Sequence, residues 1–162
     1  MFSPPVHGNL HVPWHVPLLD FVGNISLSYF SVTAPAPISR RILVVDDEPM
    51  VCDSIRRVLA ADKHQVQTAA CGQEALALFQ SGAFDLVILD YEMPDMKGDK
   101  LAAAIKALVP TQPILMITAY TESLRHTGSF PLAVDRVLGK PFDVQELRAA
   151  ARLTALRPRA ES

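Results

Sequence analysis

From Arg41 onward, short apolar runs alternate with amphipathic stretches. Residues 42–45 are continuously apolar and lead into Asp46-Asp47-Glu48-Pro49, where proline suits the first turn of a helix. Val51, Ile55, Val58 and Leu59 recur at helical spacing, which predicts a helix from about Pro49 to Ala61. Residues 64–69 alternate around Val66 and read as a more polar edge strand. Gly72 opens a second helix, with Ala75, Leu78 and Phe79 on one face, and Ser81-Gly82 closes it. Residues 86–89, ending at Asp90, form an unbroken apolar run of the kind found in strands covered on both faces of a parallel sheet. Met93-Pro94-Asp95 is loop, and Leu101, Ile105 and Leu108 mark a third helix stopped by Pro110. Residues 114–117 are a further buried strand ending at Thr118. A weakly written helix follows over 121–126, cut short by Gly128 and Pro131. Residues 134–138 make a fifth strand, and Asp143 caps a last helix carrying Val144, Leu147 and Ala151 on one face.

Five alternations of strand and helix predict an α/β domain with a five-stranded parallel sheet and helices on both faces. Right-handed crossovers restrict the topology, and the expected strand order is 2-1-3-4-5. The domain is expected over 40–157, after an extension (1–39) and before a short tail (158–162). The extension holds Pro4, Pro5, Pro13, Pro17, Pro35 and Pro37 and one formal charge, Asp20. With no Lys or Arg before Arg40 and prolines interrupting it, it lacks the pattern of a signal peptide and is expected to be poorly ordered. His7, His11 and His15 recur every four residues, but Gly8, Pro13 and Pro17 oppose the helix that would align them on a metal. The tail is too short for an output domain.

Composition narrows the class. Of 162 residues, 49% are hydrophobic, enough for a sizeable core, and the net charge of −2 gives no electrostatic case for nucleic acid. Cys52 and Cys71 are expected as free thiols in a reducing compartment. No apolar run approaches the ~20 residues that span a bilayer.

In open parallel sheets, sites form beyond the carboxyl ends of the strands. Those ends deliver Asp46 and Asp47, then Asp90, then Thr118, and finally Lys140 followed by Pro141. Taken singly, an Asp ending a strand is a turn residue, a Thr is packing and a Lys is solvated. Gathered at one sheet edge, three carboxylates repel, and a hard divalent cation such as Mg²⁺ resolves the conflict. A carboxylate can then attack phosphorus while the metal and Lys140 offset charge on the phosphoryl oxygens. Asp90, ending the central strand, is the expected nucleophile, and the Thr118 hydroxyl can bond a phosphoryl oxygen.

The runs ILVVDDEP (42–49), DLVILDYEMPDMKG (85–98), ILMITAY (114–120) and GKPF (139–142) resemble the receiver domains of bacterial response regulators. The resemblance extends over residues 41–156. It implies that Asp90 is the phosphoacceptor. It also implies that Asp47, Asp90 and the backbone carbonyl of Glu92 ligate Mg²⁺, with Asp46 acting through metal-bound water. Lys140 pairs with the phosphoryl group, Thr118 is the switch hydroxyl, and Lys140–Pro141 is a cis peptide. The implied donor is a sensor histidine kinase or a histidine phosphotransfer protein in the cytoplasm. The implied output is binding of an unidentified protein, without direct contact to nucleic acid or membrane and without an external product. Two departures stand out: Val137 occupies a fifth-strand position that is often aromatic in the family, and the helix before it is broken. Glu92, two residues beyond Asp90, reads first as an exposed loop residue whose backbone alone matters; the sharper alternative is that Glu92 and Tyr120, two residues beyond Thr118, tune loss of the phosphoryl group.

Other readings fare worse. A flavin-binding module of this fold needs a Ser-, Thr- and Gly-rich phosphate loop where this chain has Asp46-Asp47-Glu48-Pro49. A phosphatase of the haloacid dehalogenase type carries two aspartates two residues apart after the first strand, whereas Asp46 and Asp47 are adjacent. A degenerate receiver that only docks is opposed by the intact set Asp46, Asp47, Asp90, Thr118 and Lys140.

Overall fold

The structure is a computed structural model that describes residues 38–121 and 131–156. The expected extension with its three histidines, the helix expected over 121–126 and the tail fall wholly or largely outside those residues.

The described elements are β1 (Arg41–Val45), α1 (Pro49–Ala61), β2 (Gln65–Ala69), α2 (Gly72–Ser81), β3 (Leu86–Asp90), α3 (Gly98–Leu108), β4 (Ile114–Thr118), β5 (Arg136–Gly139) and α4 (Val144–Ala155). The strands pair in parallel in the order β2-β1-β3-β4-β5. From β1 the chain winds to β2 on one side and to β3 on the other, so the order reverses between β1 and β3 and a crevice opens at their carboxyl ends.

Side-chain alternation along the central strands feeds two cores. On one face Leu43, Val45, Val87, Leu89, Ile114 and Met116 pack against α2 and α3 through Ala75, Phe79, Leu101 and Ile105. On the other, Ile42, Val44, Leu86, Ile88, Leu115 and Ile117 pack against α1 and α4 through Ile55, Leu59, Leu147 and Ala151. Every residue of β3 and β4 is buried, which is why those strands read as unbroken apolar runs. β2, at the edge, alternates between exposed and half-buried positions along most of its length. No helix among the described residues is long and apolar enough to cross a membrane.

Some expectations shift. The buried stripe of α1 is Cys52, Ile55 and Leu59, with Val51 and Val58 only partly covered. Leu108 and Val144 are exposed, because each is the terminal residue of its helix, and Ala102 and Ala150 complete those buried faces instead. β5 starts at Arg136 rather than 134. The Val134 N–H turns back to the Pro131 carbonyl, and the Asp135 carboxylate accepts from Ile114 N–H and from Lys106 Nζ.

α1 ends in a Schellman arrangement: Lys63 N–H donates to Ala60 O at 3.0 Å and His64 N–H to Leu59 O at 3.1 Å. Lys63 holds φ at 69°, a left-handed conformation in which its Cβ is strained. Lys63→Gly is therefore expected to raise stability by about 0.5–1 kcal/mol in urea unfolding. An unchanged or lower midpoint would show that the lysine side chain offsets the strain.

Candidate functional site

Strand register assembles the crevice. Val45 pairs with Leu89, so Asp46 and Asp90 are the next residues on adjacent strands. Asp90 pairs with Ile117, and Thr118 pairs with Gly139, one residue before Lys140. Past the end of β5, Lys140 N–H donates to Thr118 O at 2.8 Å, which carries the ladder one bond further. Lys140–Pro141 is cis, as expected. Just beyond, the Asp143 carboxylate accepts from Gln145 and Glu146 N–H, while the Glu146 carboxylate accepts from Asp143 N–H. The short segment carrying Lys140 is thus fixed at both ends.

Within the crevice, Lys140 Nζ lies 2.6 Å from Asp90 Oδ1 and 3.4 Å from Asp46 Oδ2. Asp90 is 5% exposed and Asp46 2%. The second oxygen of each carboxylate takes a backbone donor: Glu92 N–H on Asp90 Oδ2 at 2.7 Å, and Glu48 N–H on Asp46 Oδ1 at 2.9 Å. Thr118 is buried, and its Oγ1 accepts from Tyr120 N–H at 3.0 Å, which leaves the hydroxyl proton free to be donated. Gly98 N–H donates to Tyr91 O at 2.9 Å, and a Cβ at Gly98 would collide with the Asp90 carbonyl, so only glycine lets α3 start so close under the loop that follows Asp90.

Two expected residues stand apart from this pairing. Asp47 is exposed, and the Glu92 carboxylate turns to Lys97 Nζ at 3.9 Å, a half-exposed pair. Tyr120 is half exposed, and Val137, opposite Met116, packs into the α2–α3 core with no ring to swing. The sequence marks Cys52 only as a free thiol, which it is, and not as a neighbour of the crevice. From the buried face of α1, the Cys52 thiol donates to the Asp46 carbonyl at 3.4 Å beneath the crevice.

Charge in the crevice is unbalanced. Burial pushes the Asp46 carboxyl above its ordinary range and the Asp90 charge adds to this, against the pull of Glu48 N–H and Lys140. For Lys140, burial lowers the ammonium, but the hydrogen bond it donates to Asp90 and the charges of both aspartates outweigh this and hold it above the usual lysine value. Burial, with the Asp46 charge next, raises the Cys52 thiol and keeps it protonated.

Among the described residues, no three His, Cys, Asp or Glu side chains are gathered into a metal-holding group. The donor chemistry nevertheless fits Mg²⁺. Two buried carboxylates share one ammonium, every donor is oxygen, and Mg²⁺ binds through one or two carboxylates while keeping waters.

Fold and site together define a doubly wound α/β domain with a lysine-paired acidic crevice at its switch point. Residues 42–152 match the family model of the response regulator receiver domain, and the chain belongs to that family. It is 36% identical over 116 residues to the transcriptional regulatory protein TcrA of Mycobacterium tuberculosis, covering 72% of this chain and 45% of that one. It is 35% identical over 109 residues to the regulatory protein VanRB of Enterococcus faecalis, covering 67% and 49%. The chain therefore spans about half the length of these curated relatives. Among solved structures it resembles response regulator TrrA of Thermotoga maritima in complex with Mg²⁺-BeF (TM-score 0.65, 35% identity, 71% of this chain and 98% of that one). It also resembles chemotaxis response regulator CheY4 of Vibrio cholerae (TM-score 0.67, 29% identity, 72% and 99%).

The raised pKa of Asp46 makes a stability prediction. The folded protein holds this proton more tightly than the unfolded chain does. Its contribution thus favours folding at acid pH and is lost as pH rises through the folded pKa. Metal-free Asp46→Asn protein, which keeps an oxygen for Glu48 N–H, should melt above wild type at neutral pH, with the gap closing below the carboxylate range. A variant that melts lower than wild type at neutral pH contradicts this.

Proposed function

We propose that this chain accepts a phosphoryl group on Asp90 and signals through phosphorylation-dependent binding of a partner protein. The observation that carries the reading is the Lys140 ammonium 2.6 Å from Asp90 Oδ1 at the carboxyl end of β3. The proposed donor is a phosphohistidine on a sensor histidine kinase or a histidine phosphotransfer protein, and the proposed setting is the cytoplasm.

In the proposed transfer, an Asp90 carboxylate oxygen attacks phosphorus. The new P–O bond forms as the P–N bond to the donor imidazole breaks, and the departing nitrogen takes a proton. Glu92 N–H, on Asp90 Oδ2, holds the carboxylate plane still. Lys140 loses part of its pairing with Asp90 and turns its charge to a phosphoryl oxygen. The buried Thr118 hydroxyl donates its free proton to another. Asp47, Asp90 and the carbonyl of Glu92 are the proposed ligands of Mg²⁺, with Asp46 acting through a bound water; the ion supplies charge neutralisation at the phosphoryl oxygens. Attack of water on phosphorus later releases phosphate and restores the Asp90 carboxylate, so the chain turns over no external substrate.

The added charge biases Thr118 and the backbone after it, which Tyr120 N–H couples to the hydroxyl. With Val137 in β5, the response runs through this loop rather than through an aromatic side chain.

Incubation with acetyl phosphate and Mg²⁺, read by intact mass, tests the proposal. One phosphate should be gained by wild type, by none of the Asp90→Asn protein, and by no protein in the presence of a chelator. Lys140→Ala should slow the gain by about a hundredfold. A wild-type mass that never changes would leave phosphorylation-independent docking as the reading.

A further inference from the structure

The loop over residues 91–97 connects the proposed phosphoacceptor to α3, and its far side is tied to a different helix. Gly72 N–H, at the start of α2, donates to Asp95 Oδ2 at 3.0 Å across 23 residues of sequence. The helix needs this acceptor, because its own N-cap residue, Cys71, supplies no side-chain hydrogen bond. A carboxylate placed there also meets the positive end of the helix dipole. Gly72 leaves room for the approach: a Cβ on it would stand 3.1 Å from Met96 Cβ and 3.5 Å from Asp95 Oδ2.

The loop is thus held at three points. Its base is closed by Gly98 N–H on Tyr91 O at 2.9 Å, Met93 is buried in the α2–α3 core, and Asp95 grips α2. Glu92 lies between the first two points, with its N–H on Asp90 Oδ2. We propose that Asp95 is a positioning residue: by clamping the loop to the start of α2, it fixes the Glu92 peptide unit against Asp90 and so preorganises the Mg²⁺ site. This rests on the functional reading above, in which the carbonyl of Glu92 is a metal ligand. The α2 terminus then acts on the crevice mechanically, through a loop that it does not carry.

Calorimetric titration of metal-free full-length protein with Mg²⁺ tests the clamp. Asp95→Ala should weaken Mg²⁺ affinity about tenfold, the scale of lost outer supports at metal sites. Asp95→Asn keeps an oxygen for Gly72 N–H and should recover most of the affinity. Glu74→Ala removes another support of the same helix end, the bond from Ala70 N–H, and should lower the melting temperature while leaving Mg²⁺ affinity unchanged. Amide hydrogen exchange in metal-free Asp95→Ala should quicken at Glu92, a readout that needs no ion. Equal Mg²⁺ affinity in wild type and Asp95→Ala, equal weakening by Glu74→Ala, or unchanged exchange at Glu92 each overturns the clamp alone. Wild-type protein that binds no Mg²⁺ overturns the functional reading and takes the clamp with it.

Discussion

Lys140 Nζ stands 2.6 Å from Asp90 Oδ1 and 3.4 Å from Asp46 Oδ2, so two carboxylates that the sheet buries share one counter-charge. Burying an unpaired charge costs several kcal/mol, which the shared ammonium offsets. The rest of the molecule serves this contact. β1 and β3 bring the aspartates side by side, β4 supplies the carbonyl that pins the Lys140 backbone, and the capped start of α4 fixes the segment behind it. Two carboxylates face one ammonium, and that excess of acid is the basis for proposing a cation in the crevice.

Most of this architecture was legible in the residues. The runs at 86–89 and 114–117 announced strands buried on both faces, and Pro49 and Asp143 announced helix starts, because each signal is local and steric. The convergence of Asp46, Asp90 and Lys140 was legible because parallel strands of known order must end at one edge. What escaped had causes remote in sequence. The late start of β5 follows from the Asp135 carboxylate being drawn to Lys106 and to Ile114 N–H. Cys52 beneath Asp46 was legible only as a free thiol. The reach of Asp95 to Gly72 joins residues whose neighbours give no hint of each other.

The two cores give this crevice different kinds of support. Central strands packed on both faces make the floor of the crevice, and the acidic groups, Thr118 and Lys140 sit at the strand ends or one residue past them. Thr118 ends a fully buried strand, but its hydroxyl accepts from the backbone of Tyr120, which is half exposed. Val137 is packed against the α2–α3 core, so the proposed response at Thr118 would reach the surface through backbone.

The shared counter-charge is open to direct measurement by NMR titration of the Lys140 ammonium in metal-free protein. The pairing holds the ammonium above the ordinary lysine value of 10.5, and Asp90→Asn, which removes the nearer carboxylate, should bring it down. A Lys140 that titrates at the ordinary lysine value in wild type, and stays there in Asp90→Asn, would mean that its charge does not lie between the two aspartates.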